Sequence, residues 1–287
     1  MADAYDTATW QTDDGLSLHY RDYSGPEGVK KPPVVCLHGL TRNSRDFADL
    51  AEDIAASRRV IVPEMRGRGS SDYAPDSSSY NPVQYVADVE RLLDHLEIER
   101  FVSIGTSLGG LMTMLLAQAN PDRIVGVVLN DIGPQIEAEG IERIQGYVGQ
   151  GRSYPTWVHA ARSLCEVHGE AHPDFELEHW LGMAKRTLVI AQNGRITYDY
   201  DMAIAEPFRS PGGAAPADLW PGFEALGGTP MVLIRGELSD LLSPETVARM
   251  QRINPEMQVV SVPRTGHAPT LDEPEARSAI DALLNRV

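Results

Sequence analysis

What most constrains the fold of this chain is a rhythm. Short runs rich in Val and Ile recur at 33–38, 60–63, 101–105, 124–129, 231–235 and 259–262, and stretches with apolar residues at helical spacing lie among them at 46–56, 82–96, 108–119 and 274–284. A short apolar run without polar alternation suits a strand buried on both faces, which is what parallel sheets contain. Strands alternating with amphipathic helices predict an α/β fold, a mainly parallel sheet covered by helices on both faces. Residues 7–23 read differently, as two short strands around the turn signal Asp13-Asp14-Gly15. One interval breaks the rhythm, because roughly 100 residues separate Asp131 from Met231, far more than an ordinary crossover needs. The economical expectation is a helical cap at 135–212, with amphipathic pieces at 154–167 and 175–184, inserted into a core formed by 1–134 and 213–287. The Gly-, Pro- and Ala-rich stretch 207–216 suits a hinge or return loop.

A length of 287 residues is ample for one such core with an insertion. The formal net charge of −16 repels phosphate backbones and anionic membranes, which argues against nucleic acid as a partner. No apolar run approaches the roughly 20 residues that span a bilayer. Residues 1–14 are polar and acidic, without the basic and apolar regions of a secretory signal, so a cytoplasmic protein is expected. Cys36 and Cys165 read as free thiols, which agrees with a reducing compartment. Nothing in the sequence speaks to oligomeric state.

The chemistry-bearing motif is Gly105-Thr106-Ser107-Leu108-Gly109, a G-x-S-x-G pattern followed by Gly110. Alone the pattern is weak, since three fixed positions arise by chance in roughly one chain of this length in ten. Its context strengthens it: an apolar strand enters the motif and a helix rich in Leu, Met and Ala leaves it. A serine on a sharp strand-to-helix turn presents its hydroxyl above the sheet, and the N–H of Leu108, at the helix N-terminus, stabilises an oxyanion. A Gly-rich turn of this kind also cradles phosphates, but no Lys or Arg lies beside it and the three-glycine dinucleotide spacing is absent.

A serine hydroxyl needs a base near neutral pKa. Of the eight histidines, His267 is the best placed, in the loop Thr265-Gly266-His267-Ala268-Pro269 after the last apolar run and before the last helix. A carboxylate is then needed to orient the imidazole. Asp240, in Arg235-Gly236-Glu237-Leu238-Ser239-Asp240, is the first candidate, with Glu237 and Asp131 competing. Asp131, in Asn130-Asp131-Ile132-Gly133-Pro134, follows the strand after the nucleophile and could supply the carboxylate or stand in the substrate pocket. The second oxyanion donor is expected from Leu40, in Cys36-Leu37-His38-Gly39-Leu40-Thr41, with His38 as a scaffold for that loop.

Other features carry less. His168, His172 and His179 lie close together but lack metal-site spacing, and they read as a solvated cap face, with no metal expected. Tyr198 and Tyr200, flanked by Asp199 and Asp201, are candidates for the mouth of the pocket.

Taken in order, His38-Gly39-Leu40, Arg66-Gly67-Arg68-Gly69-Ser70-Ser71-Asp72, the Ser107 elbow, Arg235-Gly236 with Asp240, and Gly266-His267 resemble the α/β-hydrolase superfamily over nearly the whole chain apart from the cap. Glu64 stands where that family often has an aspartate. The resemblance implies an oxyanion hole at Leu40 and Leu108, a cap that shapes the acyl and leaving-group pockets, and no cofactor. A serine nucleophile argues against the similar haloalkane dehalogenases and epoxide hydrolases, which use aspartate there. The Gly-Thr-Ser-Leu-Gly-Gly elbow is similar to that of carbon–carbon hydrolases acting on ring-cleavage products, although those usually carry a tryptophan where Ala268 and Pro269 stand. The expected function is Ser-His-Asp hydrolysis of a small carboxylic ester, a small molecule with an electrophilic carbonyl. The alternatives, in order, are lactone or enol-lactone hydrolysis, cleavage of a β-diketone-type carbon–carbon bond, acyl transfer, and a triad-bearing ligand receptor.

Overall fold

The computed structural model of the chain describes residues 4–209 and 218–287. Most of the 207–216 return loop, and the 212/213 edge of the expected cap, therefore lie outside the described residues. In chain order the strands are β1 (Asp6–Gln11), β2 (Ser17–Tyr23), β3 (Val34–Leu37), β4 (Val60–Pro63), β5 (Phe101–Thr106), β6 (Ile124–Asn130), β7 (Ser153–Tyr154), β8 (Leu188–Ile190), β9 (Ile196–Tyr198), β10 (Met231–Gly236) and β11 (Gln258–Val262). The helices are α1 (Ala48–Ala55), α2 (Pro82–His95), α3 (Leu108–Ala119), α4 (Ala138–Tyr147), α5 (Trp157–His168), α6 (Leu177–Thr187), α7 (Glu206–Arg209), α8 (Trp220–Ala225), α9 (Pro244–Ile253) and α10 (Pro274–Leu284).

Eight strands form one sheet in the order β1-β2-β4-β3-β5-β6-β10-β11, parallel from β4 to β11, with the β1–β2 hairpin added antiparallel at one edge. The strand period of two explains why the apolar runs are continuous. Val35 and Leu37 of β3, Val127 and Leu129 of β6, and Met231 and Leu233 of β10 join the core under α2, α3 and α8. Val34, Cys36, Val128, Val232 and Ile234, the alternate residues, pack under α1 and α10. β3, β6 and β10 thus bury both faces, as strands of a parallel sheet covered on both sides do.

Helix ends follow their local sequence. Asn81 caps α2 by accepting from the Gln84 N–H at 3.0 Å with Pro82 at the first helical position, and Ser243 with Pro244 does the same for α9. The expected spans 108–119 and 274–284 coincide with α3 and α10. α4 and α9 were not anticipated, and neither was the small antiparallel sheet β7-β9-β8 in the segment between β6 and β10. Its strands are two or three residues long, too short for periodicity to register. That segment also carries α4 to α7 and has its own core around Leu164, Trp180 and Leu188. Both cysteines are free, Cys36 buried and Cys165 exposed. No helix among the described residues is long and apolar enough to cross a membrane.

Candidate active site

β5 delivers the chain to Ser107 at φ +51°, ψ −113°, and α3 starts at the next residue. Such a backbone costs about 1–3 kcal/mol for a residue with a side chain and persists only where its surroundings fix it. Here the Ser107 N–H donates to the Asn130 carbonyl at 3.1 Å, and the Gly110 N–H donates to the Ser107 carbonyl at 2.9 Å. The two flanking glycines permit the close packing. A Cβ on Gly105 would lie 2.5 Å from the Gly109 carbonyl carbon, and one on Gly109 would lie 1.9 Å from the Leu37 carbonyl oxygen. Only glycine lets β3, β5 and α3 meet at this corner.

His267 stands over the elbow. Its Nε2 is 2.9 Å from Ser107 Oγ and its Nδ1 is 2.8 Å from Asp131 Oδ2. A carboxylate only accepts, so Nδ1 bears the proton and Nε2 presents its lone pair to the serine hydroxyl. The loop bearing His267 is tied on both sides. Asn130 Nδ2 donates to the Pro269 carbonyl at 2.9 Å, and the Gly266 N–H donates to the Ala171 carbonyl at 2.6 Å.

Asp131, not Asp240, carries the carboxylate that meets the histidine. Asp131 directly follows β6, the immediate neighbour of β5, and is fully buried. Its Oδ1 accepts from the Gly236 N–H at 2.8 Å, and its Oδ2 accepts from Ser239 Oγ at 2.6 Å as well as from His267. Asp240 lies further along the loop after β10 and is turned to Arg143 of α4, which grips it with Nε and with Nη2, the latter at 2.9 Å. Burial pushes the Asp240 carboxyl up, but the Arg143 guanidinium outweighs it and holds the group below the usual carboxylate range. The expected acid is therefore an ion-pair partner of α4, and its competitor occupies the position beside His267. Glu237 faces away, accepting from the Arg264 N–H at 2.8 Å.

The loop at Leu40 borders the serine: a Cβ on Gly39 would come 3.9 Å from Ser107 Cβ. Two donors turn its carbonyls outward. His38 Nδ1–H donates to the Gly39 carbonyl at 2.8 Å, and Arg68 Nε donates to the Leu40 carbonyl at 2.9 Å. His38 Nε2 accepts from the Met65 N–H at 3.1 Å, which fixes its tautomer. Burial and the nearby Arg68 charge push the imidazole down to about 4, so His38 is neutral. The Leu108 N–H is among the first donors of α3, which have no intrahelical acceptor.

Glu64 anchors this corner from below. Buried at 2% exposure, it accepts from Ser44 Oγ at 2.6 Å, from the Ser70 N–H at 2.7 Å and from His19 Nδ1 at 3.0 Å. Burial raises its carboxyl, but these donors more than offset it, and the pKa falls from 4.5 to about 2. A depressed carboxylate stabilises the fold above its unfolded pKa and loses that contribution as pH falls through the folded one. The decline therefore belongs between pH 4.5 and about 2 and amounts to on the order of 3 kcal/mol. Glu64→Gln is expected to flatten it by that amount in urea unfolding measured across this range. An unchanged slope would remove Glu64 from the account.

The cavity over Ser107 is walled by the Leu40 loop and by the segment between β6 and β10, which contributes Tyr147, His168, His172, Tyr198 and Tyr200. Tyr198 and Tyr200 thus stand in the pocket wall. His168 and His172 also face the cavity, and His172 is only 5% exposed, so they do not form a solvated face. His179 stacks on Phe175 at 5.1 Å outside the cavity wall, and its Nδ1 accepts from the Glu176 N–H at the start of α6. Arg42 and Tyr147 were not singled out from the sequence. Arg42 follows Gly39 by three residues, which was the available signal, whereas Tyr147 lies on the unanticipated α4.

The family model described as alpha/beta hydrolase fold matches residues 32–274. A 3-hydroxybutyrate-oligomer hydrolase of Cupriavidus necator is 34% identical over 267 residues, covering 90% of this chain and 89% of that protein. A 2-(acetamidomethylene)succinate hydrolase of Mesorhizobium japonicum is 25% identical, over 82% of this chain and 81% of that one. Among solved structures, an alpha/beta hydrolase from Novosphingobium aromaticivorans superimposes with a TM-score of 0.95 at 56% identity, covering 100% of both chains. With the fold, the elbow and these relatives in agreement, the chain belongs to the alpha/beta hydrolase family and is an enzyme of the hydrolase class.

Proposed function

We propose that the chain hydrolyses a carboxylic ester through an acyl-enzyme, with Ser107 as nucleophile, His267 as general base and Asp131 as the orienting acid. The observation that carries this reading is the unbroken hydrogen-bond line from Ser107 Oγ through His267 to Asp131, at 2.9 and 2.8 Å. His267 Nε2 takes the serine proton as Oγ attacks the carbonyl carbon, and the Asp131 carboxylate stabilises the imidazolium that results. The Leu40 and Leu108 N–H groups receive the oxyanion. His267 then returns the proton to the departing alcohol, and water repeats the sequence to release the acid.

An ester is placed ahead of a lactone or a carbon–carbon bond because the Cupriavidus necator relative is named for 3-hydroxybutyrate oligomers, in which esters join successive hydroxy acids. Covalent labelling tests the mechanism. A fluorophosphonate probe is expected to add once, at Ser107, with ester turnover falling in proportion to the label. Label on another residue, or turnover that survives complete labelling, would reject the reading, and labelling without turnover on esters, lactones and β-diketones would favour a ligand receptor.

A further inference from the structure

α5 ends at His168, and a tight turn of the chain, with the Ala171 N–H on the His168 carbonyl at 3.0 Å and the His172 N–H on the Gly169 carbonyl at 3.2 Å, brings His172 round to the same cavity. The turn is fastened to the catalytic loop by the Gly266 N–H to Ala171 carbonyl bond, and a Cβ on Gly266 would lie 2.8 Å from Ala171 Cα. Both imidazoles are therefore held at a fixed place relative to His267.

Aromatic neighbours lock the rings by their faces and edges. His172 stacks on Phe175 at 4.4 Å and meets Trp180 edge-on at 6.0 Å, while His168 meets Tyr147 edge-on at 5.0 Å. Yet neither imidazole has a hydrogen-bond partner among the described residues, although His172 is 95% buried by its 5% exposure. Both rings line the cavity beside Ser107 without such a partner, so their ring nitrogens are open to a polar group of a bound ligand.

The chemistry of that group follows from charge. Burial and the nearby guanidinium of Arg42 push His168 down to about 3 and His172 down to about 4, so both are neutral at pH 7. The cations around them are already matched: Arg42 holds Asp46 through Nε at 2.6 Å and Nη2 at 2.5 Å, and Arg143 holds Asp240. A neutral imidazole offers one donor and one acceptor. A hydroxyl group, itself donor and acceptor, fits such a pair; a bare acyl chain would leave both rings unsatisfied.

We infer that His168 and His172 form the specificity site for a hydroxyl on the acyl group, so that the substrate class is an ester of a hydroxy acid. The inference rests on the ester-hydrolase reading and deepens it. Ethyl 3-hydroxybutyrate and ethyl butyrate differ only in that hydroxyl, and acid release measures both. The native enzyme is expected to prefer the hydroxy ester in kcat/KM by tenfold or more, on the order of the effect of an unpaired buried polar group. His172→Leu and His168→Leu each lower that ratio about tenfold, and His172→Gln, which keeps a donor and an acceptor, retains most of it. Because one preparation hydrolyses both esters, a loss of folded protein scales both rates and leaves the ratio unchanged. A native enzyme without preference, or leucine variants with the native ratio, would overturn the site while leaving ester hydrolysis standing. Failure of the native enzyme to hydrolyse either ester would instead reject the ester reading, and this inference with it.

Discussion

Ser107→Ala is expected to lower kcat for ester hydrolysis by on the order of 10⁶-fold, leaving a residual activity above the uncatalysed rate. The loss is large because, in the proposed mechanism, the hydroxyl that His267 Nε2 meets at 2.9 Å is the group that becomes acylated. A residual rate is expected because the proposed backbone donors at Leu40 and Leu108 would still polarise a bound carbonyl. The fold should be indifferent, since alanine meets the φ of +51° no less readily than serine and leaves the packing of Gly105 and Gly109 unchanged. Steady-state turnover on the best ester, with the thermal midpoint measured in parallel, checks both halves. Retention of more than about a hundredth of native kcat in a folded variant would place the nucleophile elsewhere.

Asp131→Asn is expected to lower kcat by about 10⁴-fold, whereas Asp240→Asn changes it by less than about tenfold. Asparagine at 131 keeps an oxygen for the Gly236 N–H, so the strand end stays in place. Its amide, however, can turn an N–H toward His267 Nδ1, which drives the imidazole proton onto Nε2, where it faces Ser107 and blocks its role as base. Asp240→Asn breaks an ion pair with Arg143 at a partly exposed position, and such pairs contribute about 1 kcal/mol or less. Its effect should fall on how the segment carrying α4 is held rather than on the proton relay. Comparing the two variants on one substrate decides between them; a larger loss from Asp240→Asn would return the acid to the loop after β10.

Much of the active corner was legible because its signals are local. The Ser107 elbow joins a strand to a helix with glycines at fixed offsets, and steric limits on that turn hold in any fold that contains it. The Val and Ile runs announced buried strands, and α3 and α10 coincide with the expected spans because their apolar residues recur at helical spacing. The segment between β6 and β10 was harder. Its strands are too short to show a period, and α4 carries Gly140 and Gly146, which lower its intrinsic helix preference.

By itself, then, the sequence determined the layered α/β architecture, the Ser107 elbow and the loop that bears His267, because each depends on residues within a few positions of one another. Tertiary structure alone decided which carboxylate meets His267. Asp131 and Asp240 both follow apolar strands, and a choice between them needs the strand order β5-β6-β10-β11 and the knowledge that Arg143 draws Asp240 away. Tertiary structure also turned His168 and His172 from an expected solvated face into a cavity wall. Burial belongs to the space between elements, here α5, α6 and the His267 loop, and no local spacing encodes it.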